Sequence, residues 1–159
     1  MNKKITDFFS SKNKGIKLEK IQPIDVYTLM FDGGSRGNPG TGGAGYVIYK
    51  NNTEVYCGCS ALGHVTNNFA EYKALELGLD CAIKNEIDCL VIKGDSMLVL
   101  NQVSGKWKVK SPMLIPLCKQ IKSQLGKIST YSLQHVKRKY NKRADQLANM
   151  AMDGDIITC

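Results

Sequence analysis

Four carboxylates stand where the local pattern is apolar or basic, and their types and positions fit one chemistry. Asp32 ends the apolar run Tyr27-Thr28-Leu29-Met30-Phe31 and opens a glycine-rich segment. Glu71 begins the apolar stripe of a predicted helix, and Asp95 follows the run Cys89-Leu90-Val91-Ile92. Asp145 is the first acid after 49 residues, Ser96 to Ala144, that hold eleven Lys or Arg. Carboxylates at strand ends and helix starts of a basic chain suit a divalent cation held beside a polyanion. That is the chemistry of metal-assisted phosphodiester hydrolysis.

The elements that must position these acids follow from periodicity and turn residues. Tyr27–Phe31 reads as a strand, and residues 33–45, with seven glycines and Pro39, read as a long turn. Ala44–Lys50 and Thr53–Ser60 read as two further strands joined at Asn51-Asn52, which makes an antiparallel meander. Thr66-Asn67-Asn68 is a helix-capping sequence, and Ala70, Ala74, Leu77 and Cys81 then recur at helical spacing. Asp88–Lys93 is a short strand and Ser96–Val103 a helix, and Pro112 opens another helix that stops at Gly126. Ser129–Val136 is the last strand, and Asn141–Met152 closes as a helix with Ala144, Leu147, Ala148 and Ala151 inward. The order βββαβααβα predicts an α/β fold, a mixed five-stranded sheet flanked by helices.

Composition bounds the function. The 159 residues are 43% apolar, enough for one domain with a core. A formal charge of +8, concentrated in the C-terminal half, favours an anionic partner, nucleic acid before membrane surface. There is no apolar run long enough to span a membrane and no secretory signature. The expected location is therefore inside the cell: the nucleus or a replication compartment, or the cytoplasm of a prokaryote. Six cysteines without a CxxC pair, and only two histidines, exclude a zinc site and are read as reduced thiols. Gly40-Thr-Gly-Gly-Ala-Gly45 matches a dinucleotide fingerprint, yet it precedes the strand-like Tyr46-Val-Ile-Tyr49 rather than a helix. It reads instead as a substrate-edge loop whose glycines let backbone approach a ligand.

Asp32-Gly-Gly-Ser-Arg-Gly-Asn-Pro-Gly40, Thr66-Asn-Asn-Phe-Ala-Glu-Tyr72, Gly94-Asp95-Ser96 and His135-Val-x-Arg-x-x-Asn141-x-x-Ala-Asp145 together resemble ribonuclease H type 1, in its compact archaeal-like subtype. The resemblance spans about residues 25–152 and implies a catalytic domain over 24–153, with 154–159 as a short tail. It makes Asp32, Glu71, Asp95 and Asp145 ligands of two Mg²⁺ or Mn²⁺ ions, ~4 Å apart, flanking the scissile phosphate of an RNA–DNA hybrid. His135 matches a histidine that aids proton traffic and product release. Asp95 or Asp32 is expected to titrate high without metal, because the acids repel one another.

The same resemblance implies substrate contacts from Gly33, Gly34, Ser35 and Arg36, and a phosphate pocket from Asn38, Thr66 and Asn67. Asn68 and Asn141 join the contacts. Met97 stands where bacterial relatives carry Gln. Lys106-Trp107-Lys108-Val109-Lys110 interleaves one aromatic with three charges and suits the DNA strand. The implied enzyme is an endonuclease that leaves 5′-phosphate and 3′-hydroxyl ends and acts as a monomer. A non-catalytic hybrid-binding module and another nuclease of the same fold are the alternatives.

Residues 1–22 are a lysine-rich arm. Within it, residues 2–9 resemble the sliding-clamp-binding peptide, with Asn2 in place of its Gln. Ile5, Phe8 and Phe9 fall at i, i+3 and i+4, so one helical turn would present all three to an apolar pocket.

Overall fold

A computed structural model describes residues 24–159. Strands β1 (Tyr27–Gly37), β2 (Gly40–Lys50) and β3 (Thr53–Val65) form the antiparallel meander. Asn51 and Asn52 turn β2 into β3 with φ of 49° and 70°, a left-handed pair that asparagine tolerates and tight hairpins require. Helix α1 (Asn67–Lys84) leads into β4 (Cys89–Gly94), α2 (Met97–Val103), α3 (Ile115–Leu125) and β5 (Thr130–His135). A 3₁₀ turn, Arg138–Tyr140, precedes α4 (Lys142–Met152). The sheet order is β3-β2-β1-β4-β5, with β4 parallel to both β1 and β5, as expected of a mixed sheet.

Alternation along the strands divides the interior between two faces. Leu29, Phe31, Ile48, Leu90 and Ile92 meet Leu75 and Leu79 of α1 and Ile121 and Leu125 of α3. On the opposite face Val47 and Cys59 meet Leu147 and Ala151 of α4. Helix α1 buries more than a narrow stripe, because α3 covers its second side: Gln124 Nε2 donates to Asp80 Oδ1 at 2.6 Å and to the Glu76 carbonyl at 3.0 Å.

Three readings of the sequence are corrected. Residues 33–45 are not a long turn: β1 and β2 run through them and reverse at Asn38-Pro39 alone. Their glycines are there because helices rest directly on the strand backbone, not because the chain must bend. The segment from Pro112 begins as a turn, and the helix starts at Ile115.

The third correction concerns the cysteines, since Cys81 and Cys159 are joined by a disulfide. Residues 154–159 do not hang free. Ile157 bridges Cys59 on the edge strand β3, with Cys59 N–H donating to its carbonyl at 2.9 Å, and Cys159 then reaches α1. The pairing was illegible because it joins positions 78 apart with no local motif, and only the return of the chain across β3 brings them together. A loop of that length predicts ~4 kcal/mol from restricting the unfolded chain. Cys159→Ser, or reduction by dithiothreitol, should lower the melting temperature by about 10 °C. A melt indifferent to both would remove this role.

Candidate functional site

The site lies where two parallel strands part. The pairing of β1 with β4 ends at Phe31 and Gly94, whereas β1 continues against β2 to Gly37. Asp32 and Asp95 are the next residues on the two strands, so they flank the opening at the carboxyl end of the pair, the usual place for a site in such sheets.

Two glycines bring the helices in. A Cβ on Gly33 would lie 2.2 Å from the Ala70 carbonyl carbon, so only glycine lets the first turn of α1 settle on β1. That contact sets Glu71 beside Asp32. On the other face a Cβ on Gly45 would lie 2.5 Å from the Ala148 nitrogen, so α4 rests as closely on β2. Gly45 pairs with Asp32 in register, and Asp145 is one turn of α4 before Asn149, which donates to the Asp145 carbonyl at 3.0 Å.

Asn141, expected among the substrate contacts, is instead 1% exposed and donates from Nδ2 to the Phe31 carbonyl at 2.8 Å. It ties the start of α4 to β1 one residue from Asp32. That bond holds the first turn of α4 against the strand, while the buried Asn141 Oδ1 has no hydrogen-bond partner among the described residues.

Asp32, Glu71 and Asp95 each offer a ligand oxygen, and these atoms lie within 4.8 Å of one another. Asp145 stands beside this triad, half-buried, with its charge acting on Asp32 and Asp95. Burial, then the charge of Asp95, pushes the Asp32 carboxyl up to about 7. Burial and the charges of Asp32 and Asp95 hold Glu71 well above the ordinary carboxylate range. Asp95 is raised by burial and drawn back by the guanidinium of Arg138. The expectation of one high carboxyl among Asp32 and Asp95 thus extends to Glu71. Glu71 Oε2 is buried with no hydrogen-bond partner among the described residues. Hard oxygen donors, an unpartnered buried carboxylate oxygen and mutual repulsion fit a divalent cation, which would satisfy all three.

The remaining expected residues fall around this centre. His135 ends β5, exposed, with Nε2 3.2 Å from the Asp95 carbonyl. Asn38 Oδ1 accepts from Asn67 N–H at 3.1 Å, and Asn67 Oδ1 accepts from Ser35 N–H at 3.3 Å. Thr66 Oγ1 caps α1 by accepting from Phe69 N–H at 3.2 Å, so the tip of the β1–β2 hairpin and the start of α1 form one network. Gly34 lies against Met152 and Asn67, and Asn68 is exposed in the first turn of α1. Arg36 pairs with Asp153 at 2.7 Å at the end of α4. Met97 is exposed and shares a recess of about 230 Å³ with His135 and Lys106.

Trp107 is half exposed in a groove of about 650 Å³ together with Lys106, Lys108, Lys119 and Lys122. Lys119 and Lys122 are not among the residues that the sequence motifs single out, although their i, i+3 spacing on α3 puts both on one face. Arg138 was also passed over, although it sits inside the His135–Asp145 motif and its charge bears on Asp95. Asn2, Ile5, Phe8 and Phe9 lie outside the described residues.

Residues 30–151 match the family described as reverse transcriptase-like. Bifunctional protein Rv2228c of Mycobacterium tuberculosis is 43% identical over 124 residues, 77% of this chain and 34% of its own length. The chain thus spans about a third of that relative. Among solved structures, RNase H1 from the archaeon Halobacterium salinarum superposes with a TM-score of 0.78 at 38% identity, over 81% of this chain and 98% of that one. LC11-RNase H1, solved in complex with RNA/DNA hybrid, superposes with a TM-score of 0.75 at 33% identity, over 80% of this chain and 97% of that one. The chain belongs to the type 1 ribonucleases H of the reverse transcriptase-like family.

The raised carboxyls make a pH signature. A folded-state value near 7 against an ordinary 3.8 means that stability from a protonated Asp32 is complete below about pH 4 and is lost as pH rises through 7. Metal-free protein should therefore melt lower at pH 8 than at pH 5. Mg²⁺ should reverse the trend, because it binds the deprotonated set, and Asp32→Asn should flatten it. A metal-free melting temperature that holds or climbs across this window would contradict the buried repulsion.

Proposed function

We propose that the chain is an endonuclease that hydrolyses the RNA strand of RNA–DNA hybrids and leaves 5′-phosphate and 3′-hydroxyl ends. The observation that carries the reading is the convergence of Asp32, Glu71 and Asp95 on one point, in a site that leaves a Glu71 oxygen unpartnered. These three, with Asp145 beside them, would hold Mg²⁺ or Mn²⁺, two ions per site. The metal supplies charge neutralisation at the phosphate and an acidified water as nucleophile. Asp32 and Asp95 would hold that charge from the two strands of the β1–β4 opening, and Glu71 from the helix above β1. His135, exposed and hydrogen-bonded through one ring nitrogen only to a carbonyl, carries protons between the site and solvent.

The substrate is aligned by groups that already form a network. The Asn38–Asn67–Ser35 contacts and the cap of α1 present a rigid polar edge to the RNA backbone and its 2′-hydroxyls. Gly33 and Gly34 keep that edge low, and Asn68 borders it. Arg36, which pairs with Asp153, would have to exchange that partner for a phosphate at the rim, and the groove of Trp107, Lys106 and Lys108 takes the DNA strand by ring contact and phosphate pairing. The solved hybrid complex of the similar LC11-RNase H1 supports this substrate class.

With Mg²⁺, the protein should cleave a labelled hybrid and leave double-stranded RNA, DNA duplex and a four-way junction intact. Asp95→Asn should slow cleavage by about a thousandfold, ~4 kcal/mol of barrier. Undiminished cleavage by that variant would dismiss the metal assignment.

The arm serves recruitment in this reading. Asn2, Ile5, Phe8 and Phe9 dock on a sliding clamp and bring the enzyme to replicating DNA, where primers and hybrids need removal. A peptide of residues 1–14 should bind a cognate clamp with low-micromolar affinity, and Phe8→Ala with Phe9→Ala should abolish it. Equal binding by both peptides would rule the docking out.

A further inference from the structure

The turn between β5 and α4, residues 136–141, and the first residue of α4 form a strongly charged segment outside the carboxylate site. It holds Lys137, Arg138, Lys139 and Lys142 within six positions. Among the described residues no carboxylate lies within ion-pair distance of any of these four. The neighbouring Arg143 differs, being spent on Glu54 at 2.8 Å and on Gln146. In the middle of the cations Tyr140 is 64% exposed, and the Lys139 ammonium sits 5.0 Å from its ring centroid. No core residue covers that ring. A large aromatic left in water beside unpaired cations is what single-strand nucleic-acid surfaces use, since a base can stack on the ring while lysines meet the flanking phosphates.

The turn is also rigidly tied to the carboxylate site. Val136 N–H donates to the Gly94 carbonyl at 2.9 Å, one residue before Asp95, and Asn141 is fastened to Phe31, one residue before Asp32. Tyr140 N–H donates to the Lys137 carbonyl at 2.9 Å, which closes the 3₁₀ turn between the two anchors. Whatever strand occupies the carboxylates must leave the cleft past one of its rims, and this rim carries an exposed ring among cations that have no ion-pair partner among the described residues.

We propose that the β5–α4 turn is a second strand-holding contact, in which Tyr140 stacks on a nucleotide of the RNA leaving the cleft and Lys137, Lys139 and Lys142 pair with its phosphates. The contact rests on the hybrid reading of the carboxylate site. Arg138 is held apart from this set, because its charge is directed at Asp95. Stacking accepts any base, so the contact favours substrates that extend past the cut without choosing their sequence.

The test is binding and cleavage by the full chain with a 20-base-pair hybrid and with the same hybrid carrying a single-stranded RNA extension at either end. Binding is read by fluorescence anisotropy in Ca²⁺, and cleavage in Mg²⁺. Tyr140→Ala should raise KM for one extended substrate about tenfold, with kcat within about twofold, while Tyr140→Phe retains wild-type KM. Replacing Lys137, Lys139 and Lys142 together by Ala should flatten the dependence of log Kd on log salt by about two units. An unchanged KM and salt slope, or losses that track a lowered melting temperature, would overturn the proposal. If no hybrid is cleaved but the anisotropy losses appear as stated, the strand contact stands and the hydrolase reading fails. If hybrids are cleaved with no difference among the variants, the reverse holds.

Discussion

The distance between backbones at Gly33 and Gly45 governs this molecule. A site that needs carboxylates from two strands and two helices must bring helix axes closer to the sheet than ordinary side chains allow. Gly33 under Ala70 and Gly45 under Ala148 remove the side chains at the two places where the helices carrying Glu71 and Asp145 cross the strand pair. Asn141 then fixes the angle of α4 through the Phe31 carbonyl. The alanines at 70, 144 and 148, all buried, are the partners of that approach: a larger group on either side would lift a helix and withdraw its acid.

What is gathered there opposes folding. Three carboxylates drawn into a cleft lose water and repel one another, which raises Asp32 and Glu71 and leaves a Glu71 oxygen without a partner. The cost is met by apolar packing on both faces of the sheet and by the covalent link from α1 to the chain's last residue. Basic groups accompany this anionic pit, Lys106, Lys119 and Lys122 in the Trp107 groove and four more cations between Lys137 and Lys142. A polyanion is drawn to the rims by long-range charge, whereas metal is needed before it can approach the centre.

Much of this was legible in the residues. The order of strands and helices came from turn residues and apolar spacing, and the acids stood out because each interrupted a pattern. Asn51-Asn52 marked its own turn. The glycines of 33–45 misled, since absence of a side chain signals both a bend and a close contact, and only the helices overhead distinguish the two. Asn141 sits in a motif with site residues, and nothing local shows that its Nδ2 binds a backbone carbonyl 110 positions away. The link from Cys81 to Cys159, the shared groove of Trp107 with α3, and the pairing of Arg36 with Asp153 all depend on the path of the chain in space, which no local window contains.

The returning tail leaves the sheet with unequal borders. At β3 the Ile157 bridge occupies part of the free hydrogen-bonding row, while β5, at the opposite border, has no strand on its outer row among the described residues. Any extended peptide that adds to this sheet is therefore directed to β5, whose final residue is His135. A guest strand seated there would run up to the mouth of the cleft. Occlusion from the side, rather than occupancy of the acids, is a route to silencing the protein that its architecture leaves available.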